Sequence, residues 1–207
     1  MRPDQLRQIP LVIGIRNLIH DQANPDWLVR AGVDEGLTDL ERARVSFDLI
    51  STLPRHFEHV TGLGERHPGR RVVIGHLSRP PFGEADWEPW WSLIKRAAEN
   101  SLVSAKVSGV YPASGSPTEW SKKSVRPYFE RALEVFGSDR LMHGGNWRIS
   151  FLAGGYDAVW EGLASLLDEL SARDRIAILD GTARQFYRMN DAILERIRRA
   201  GVQQIKI

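Results

Sequence analysis

The chain has 207 residues, 42% hydrophobic and 26% charged, which suits one large domain with a sizeable core. Its 28 Lys and Arg against 26 Asp and Glu leave a net charge of +2, too weak a field to mark a nucleic-acid surface. With no cysteine, it excludes disulfides, thiolate metal sites and a cysteine nucleophile, and no apolar run approaches the roughly 18 residues of a membrane span. Residues 1–10 carry no apolar signal core, so a cytoplasmic protein is expected.

Residues 11–15 form a continuous apolar run that ends at Arg16, the pattern of a parallel strand buried on both faces. Asn24-Pro25-Asp26 reads as a helix start, and the helical stretch runs to about Arg44 with a break near Gly32. Residues 45–50 are the next strand. A helix from 53 to about 65 is ended by His67-Pro68-Gly69, and the strand of residues 71–77 follows, carrying His76. Residues 86–99 make an aromatic-rich helix or helix pair, in which Trp87, Trp90 and Trp91 read as packing residues. Residues 101–108 are a strand and 109–123 a loop, whose Tyr111 opens a glycine- and serine-rich stretch with the character of a lid. A helix over 125–136, a strand over 140–145, helices over 154–170 and 171–188, and a helical tail over 191–199 complete the order.

Five strands alternating with helices predict a parallel sheet of βα units. Five are too few to close an eight-stranded barrel, so the pattern alone suggests an open, doubly wound sheet. No glycine-rich phosphate loop follows a strand, which argues against a nucleotide site.

Two strands end in the same way. Residues 71–77 run into Gly75-His76, and residues 140–147 run into Gly144-Gly145-Asn146-Trp147. Polar side chains at the C-terminal ends of parallel strands are where α/β barrels carry chemistry. Arg16 ends the first strand and could pair with Asp48 or with a substrate carboxylate or lactone oxygen. Asp48 could orient Arg16 or a substrate hydroxyl, His20 lies in the first loop beside Asp21, and Trp147 could wall a pocket.

The ordered motifs Gly14-Ile15-Arg16, Phe47-Asp48-Leu49, Gly75-His76-Leu77 with Pro80-Pro81, Lys106-Val107-Ser108-Gly109, Gly144-Gly145-Asn146-Trp147 and Gly181-Thr182-Ala183-Arg184-Gln185-Phe186-Tyr187 resemble the amidohydrolase-2 family. The branch they resemble is that of sugar-lactone and dicarboxylate-lactone hydrolases. The resemblance implies an α/β fold of the TIM (β/α)8-barrel, metallo-dependent-hydrolase type, truncated here to strands four to eight. Those strands would be residues 11–15, 45–49, 72–76, 105–108 and 141–144, within one amidohydrolase-related domain spanning 1–207. It also implies hydrolysis of a small cyclic ester, with His76 ligating a divalent metal (Zn or Mn) or polarising the substrate. Asn146 stands where the family usually has its aspartate base, Gly75 where an aspartate is usual and Arg148 where a proline is usual. No His-x-His pair, which serves the metal or substrate in the family, occurs in the chain. The catalytic candidates are therefore His76, Asn146 and Arg16, and the substrate-binding candidates Asp48, Trp147 and His20. The alternative is an inactive truncated barrel, or a ligand-binding module completed by another chain. Its exposed edge strands would be pairing surfaces for copies of itself.

Overall fold

A computed structural model describes residues 5, 9, 12–110 and 121–204. Five parallel strands form one sheet in the order β1-β2-β3-β4-β5 among these residues: β1 Gly14–Asn17, β2 Ser46–Leu49, β3 Val72–Ile74, β4 Val103–Val107 and β5 Leu141–His143. The helices are α1 Ala31–Arg42, α2 Pro54–Arg66, α3 Trp90–Ala98, α4 Lys122–Phe136, α5 Tyr156–Leu167, α6 Ala172–Ile176, α7 Thr182–Phe186 and α8 Asp191–Gln204. A π-helical turn, Ala177–Gly181, joins α6 to α7.

The register explains how apolar strands still carry a polar site. Arg16 lies opposite Asp48, Asp48 opposite Val73, Val73 opposite Ser104, and Lys106 opposite Met142. Side chains alternate between faces along a strand. One face therefore presents Phe47, Leu49, Val72, Ile74, Val103, Ala105, Val107 and Leu141, all within the main apolar core that the helices cover. The other holds a smaller cluster of Val73, Met142 and Phe186, with Ala183 and Tyr187 packed on it, together with Arg16, Asp48 and Lys106.

Local sequence accounts for the helix ends. Pro54 opens α2 at a position where its missing N–H costs nothing. Ser121 caps α4, accepting from the Ser124 N–H while the Ser124 hydroxyl accepts from the Ser121 N–H. Arg140 ties the far end of α4 to the start of β4. Its Nη1 donates to the carbonyls of Ala98 at 2.8 Å and Asn100 at 3.1 Å, and its Nε to Phe136 at 3.2 Å.

Several sequence boundaries shift. The first strand is Gly14–Asn17, not 11–15, so Arg16 lies inside it rather than at its end. An apolar run marks burial, whereas this strand pairs along a stretch that includes one charged residue of the polar face. The stretch expected as helix from 24 to 44 divides into a short 3-10 turn, Trp27–Val29, and α1, because Arg30 is extended (φ −69, ψ 140); Gly32 lies within α1. The strand carrying His76 stops at Ile74, and His76 belongs to the turn that follows. The helical region expected over 171–188 is present as α6 and α7, continuous through the π turn, and the tail helix extends to Gln204. Tyr111 and its loop lie outside the described residues. No helix among the described residues is long and apolar enough to cross a membrane.

Candidate active site at the C-terminal ends of the strands

The turn after β3 is the most unusual backbone in the chain. His76, Leu77, Ser78 and Arg79 all have positive φ, at 55, 48, 60 and 54°. A non-glycine residue in the left-handed region costs about 1–2 kcal/mol, so four in succession require strong tertiary restraint. That restraint is visible. Leu77 is fully buried, Trp90 Nε1 donates to the Leu77 carbonyl at 2.7 Å, and the Ser51 and Ser78 hydroxyls bond to each other. The tryptophan cluster does pack, as its sequence suggests: Trp87 lies 5.3 Å from Trp91 and 5.2 Å from Tyr128 between ring centroids. Through Trp90, that packing also fixes the turn that aims His76.

His76 Nδ1 lies 2.8 Å from Ser108 Oγ, and Ser108 is buried just past β4. Burial first, and the positive charges of Arg16, Lys106 and Arg79 after it, lower the His76 pKa to about 4, against an opposing hydrogen bond from the ring to the Ser108 backbone. The imidazole is thus neutral at physiological pH. Gly109 joins it to the other strand end. A Cβ at Gly109 would sit 2.7 Å from His76 Nδ1 and 3.1 Å from Asn146 Nδ2, so both candidates border the same glycine. Asn146 itself has φ 44, which turns it off the end of β5.

Below this pair, Asp48 gathers three donors on the polar face of the sheet. Lys106 Nζ lies 2.6 Å and Arg16 Nη2 3.3 Å from Asp48 Oδ2, while the Tyr187 hydroxyl donates to Oδ1 at 2.7 Å. Burial, with Asp48 beside it, raises the Tyr187 pKa, so the phenol keeps its proton. A cleft of about 340 Å³ opens beside the turn, lined by Phe57, Ser78, Arg79, Phe82 and Trp90 and reaching Gly109. That volume lies at the lower end of small-molecule sites.

The candidates divide accordingly. His76 and Asn146 come together, and Arg16 pairs with Asp48 as the sequence suggests. Trp147 is 66% exposed, with the Arg148 guanidinium 5.2 Å above its ring, and it does not line the cleft beside the His76 turn. The cause is the positive φ of the residues on either side of it, 44° at Asn146 and 76° at Arg148, which throw it outward. His20 lies in a 3-10 turn, Ile19–Asp21; its side chain lies outside the described residues. Sequence reasoning missed Lys106, Ser108, Arg79 and Tyr187. The first two were detectable, since they share the alternating face of residues 101–108 with Ser104.

The donors present do not fit a divalent metal. Among the described residues, no group of three or more His, Cys, Asp or Glu could hold an ion. His76 contributes one imidazole, and the Asp48 carboxylate is taken by Lys106, Arg16 and Tyr187.

The sequence profile described as Amidohydrolase matches residues 5–189. The chain belongs to the amidohydrolase family. It is 29% identical over 189 residues to the L-fucono-1,5-lactonase of Burkholderia ambifaria, covering 89% of this chain and 64% of that protein. Its fold is similar to the crystal structure of an amidohydrolase from Burkholderia multivorans with bound zinc: 25% identity, TM-score 0.76, covering 86% of this chain and 64% of the other. It is also similar in fold to a putative 2-pyrone-4,6-dicarboxylic acid hydrolase from Pseudomonas putida, with 24% identity and TM-score 0.73 over 90% of this chain and 68% of the other. The chain thus spans 64% of the length of the curated lactonase it matches.

Two smaller effects are expected here. Gly109→Ala should lower the activity of the site about tenfold, because the new Cβ must push the His76 ring aside and φ at this glycine is +57. Unchanged activity in a variant of an open glycine with ordinary φ, such as Gly36→Ala, would show the loss is local. The second concerns pH. An imidazole whose pKa falls from 6.5 unfolded to about 4 folded binds fewer protons in the native state between those values. Stability is therefore full above pH 6.5 and declines as pH falls toward 4. Between pH 7 and 5 the His76 contribution amounts to about 2 kcal/mol. Urea unfolding of wild type and His76→Gln at both pH values should show a shallower loss in the variant; equal losses would contradict it.

Proposed function

We propose that this sheet carries strands four to eight of a (β/α)8 barrel, and that its C-terminal end opens a lactone of a sugar acid or dicarboxylate with water. The observation that carries this reading is the His76 ring, neutral by burial, held 2.8 Å from Ser108 Oγ and bordering Gly109, which also lines the cleft. In the tautomer whose Nδ1 accepts from the Ser108 hydroxyl 2.8 Å away, Nε2 carries the proton, and it is that tautomer that acts here. A base of pKa about 4 is a weak proton acceptor at neutral pH, so His76 acts instead as a donor to the lactone carbonyl oxygen. Water adds to the carbonyl carbon, and the negative charge that develops on the oxygen is met by His76 and the surrounding cations. The carbonyl re-forms as the ring C–O bond breaks, the proton shed by the added water ends on the ring oxygen, and the hydroxy acid leaves.

Asn146 orients the water; its amide cannot take a proton as an aspartate there would. Asp48 holds Arg16 and Lys106 in place. No step runs through a metal, since the described donors do not fit one. The family and the lactonase relative support the reaction class, and the relative makes L-fucono-1,5-lactone the first substrate to try. We place the protein in the cytoplasm, as one amidohydrolase-related domain over 1–207.

The test is a pH-indicator assay of the purified chain on a panel of sugar and dicarboxylate lactones. Saturable turnover of one of them, lost in His76→Gln, is the expected outcome; rates no faster than spontaneous hydrolysis across the panel would refute the reading. A second reading, a site completed by a second copy of the chain, is favoured by the exposed Trp147, Ile149, Phe151 and Leu152 beyond the β5 edge. Light scattering distinguishes it, through a dimer that Phe151→Ser dissociates.

A further inference from the structure

At the opposite end of the sheet, the chain enters β3 through Gly69, Arg70 and Arg71. Arg70 is 2% exposed, and all three of its guanidinium nitrogens are buried without a hydrogen-bond partner. Burial lowers its pKa to about 10, so it stays charged at neutral pH. A charge held in this way calls for a counter-charge with acceptor atoms.

The nearby carboxylates do not provide one. Glu41 accepts from the Gly69 N–H at 2.6 Å through Oε1 and faces His67 Nδ1 at 3.5 Å through Oε2. Asp34 accepts from Arg66 Nε at 2.9 Å and lies 3.0 Å from His67 Nε2. Both act on Arg70 through their field alone. Beside Arg70 is a cavity of about 20 Å³, lined also by Arg44, Arg71 and Arg188, with Ser46 and Glu41. Glu41 is the one carboxylate among these lining residues, and Arg71 donates through Nη1 to the Gln185 and Phe186 carbonyls at 2.7 and 3.0 Å. Arg44 and Arg188, both exposed at the rim, are held in left-handed backbone at φ 54 and 53°. Strain of this kind persists where the surroundings fix it.

We propose that this pocket binds a small oxyanion (phosphate, sulfate or carboxylate), with inner oxygens on Arg70 and the remainder toward Arg44 and Arg188. The cavity takes about one water-sized group, which matches an inner oxygen rather than a whole ligand. The site is independent of the lactone-opening reading, because the strands are parallel and the two places lie at opposite ends of them.

The test compares thermal unfolding of the purified chain in sodium phosphate, sulfate, acetate and chloride at equal pH and ionic strength. At ten times Kd, the bound oxyanion should raise Tm by about 3–6 °C over chloride. Arg70→Met should abolish that difference, and Arg44→Ala, at an exposed position, should at least halve it. Which of the oxyanions gives the largest rise identifies the class of natural ligand. Equal rises in wild type and Arg44→Ala would mean a general salt effect and would overturn the proposal. So would the absence of any rise in wild type, which would mean that the cavity holds water only. If Arg70→Met does not fold, the Arg44→Ala comparison alone decides.

Discussion

Replacing His76 with glutamine is expected to reduce lactone turnover by about 10²–10³-fold, the usual cost of losing one donor to a developing oxyanion. Glutamine can still donate a hydrogen bond, but it has no rigid ring to hold between Ser108 and Gly109. The four left-handed residues of the turn are held by buried Leu77 and by the Trp90 bond to its carbonyl, neither of which involves the ring. The variant should therefore fold, with native circular dichroism and an unchanged unfolding midpoint at pH 7. KM should change less than kcat, because the donor acts more strongly on the oxyanion than on the ground-state carbonyl. A loss below about threefold would remove His76 from the chemistry.

Asp48→Ala is expected to cost about 3 kcal/mol of stability, the low end of the range for removing one partner from a buried ion pair. The estimate is low because the Arg16 side chain is 45% exposed and can reach water, whereas Lys106, at 16%, cannot. The substitution also strands the Tyr187 hydroxyl, which donates to Oδ1 at 2.7 Å. For a chain of this size the loss corresponds to a fall in Tm of about 6–12 °C. Asp48→Asn keeps an acceptor for Tyr187 and should lose about half as much. Urea and thermal unfolding measure both; a change below about 1 kcal/mol for the alanine variant would mean that water already screens the pair.

Periodicity reveals most of the elements but not the direction of the turns. The βα alternation is plain because the strands are apolar runs and the helices amphipathic. The pairing of Arg16 with Asp48 is legible because both occupy the same face of adjacent strands. The turn at residues 76–79 is not. Its sequence, His-Leu-Ser-Arg, contains no glycine to announce positive φ; the conformation is imposed by Trp90, which lies 13 residues beyond Leu77. Tyr187 is hidden for a related reason. Nothing near it in sequence points to Asp48, 139 residues away, since the contact depends on α7 reaching the polar face of the sheet. The exposure of Trp147 is likewise not announced by its sequence, where no glycine marks the positive φ of Asn146 and Arg148 on either side of it.

The most direct measurement of the central claim is an NMR titration of the His76 ring nitrogens from pH 3 to 8, with and without added sugar lactone. The ring should stay neutral down to about pH 4, carry its proton on Nε2, and shift when lactone is present. A His76 that titrates near its ordinary 6.5 and does not respond to lactone would contradict it.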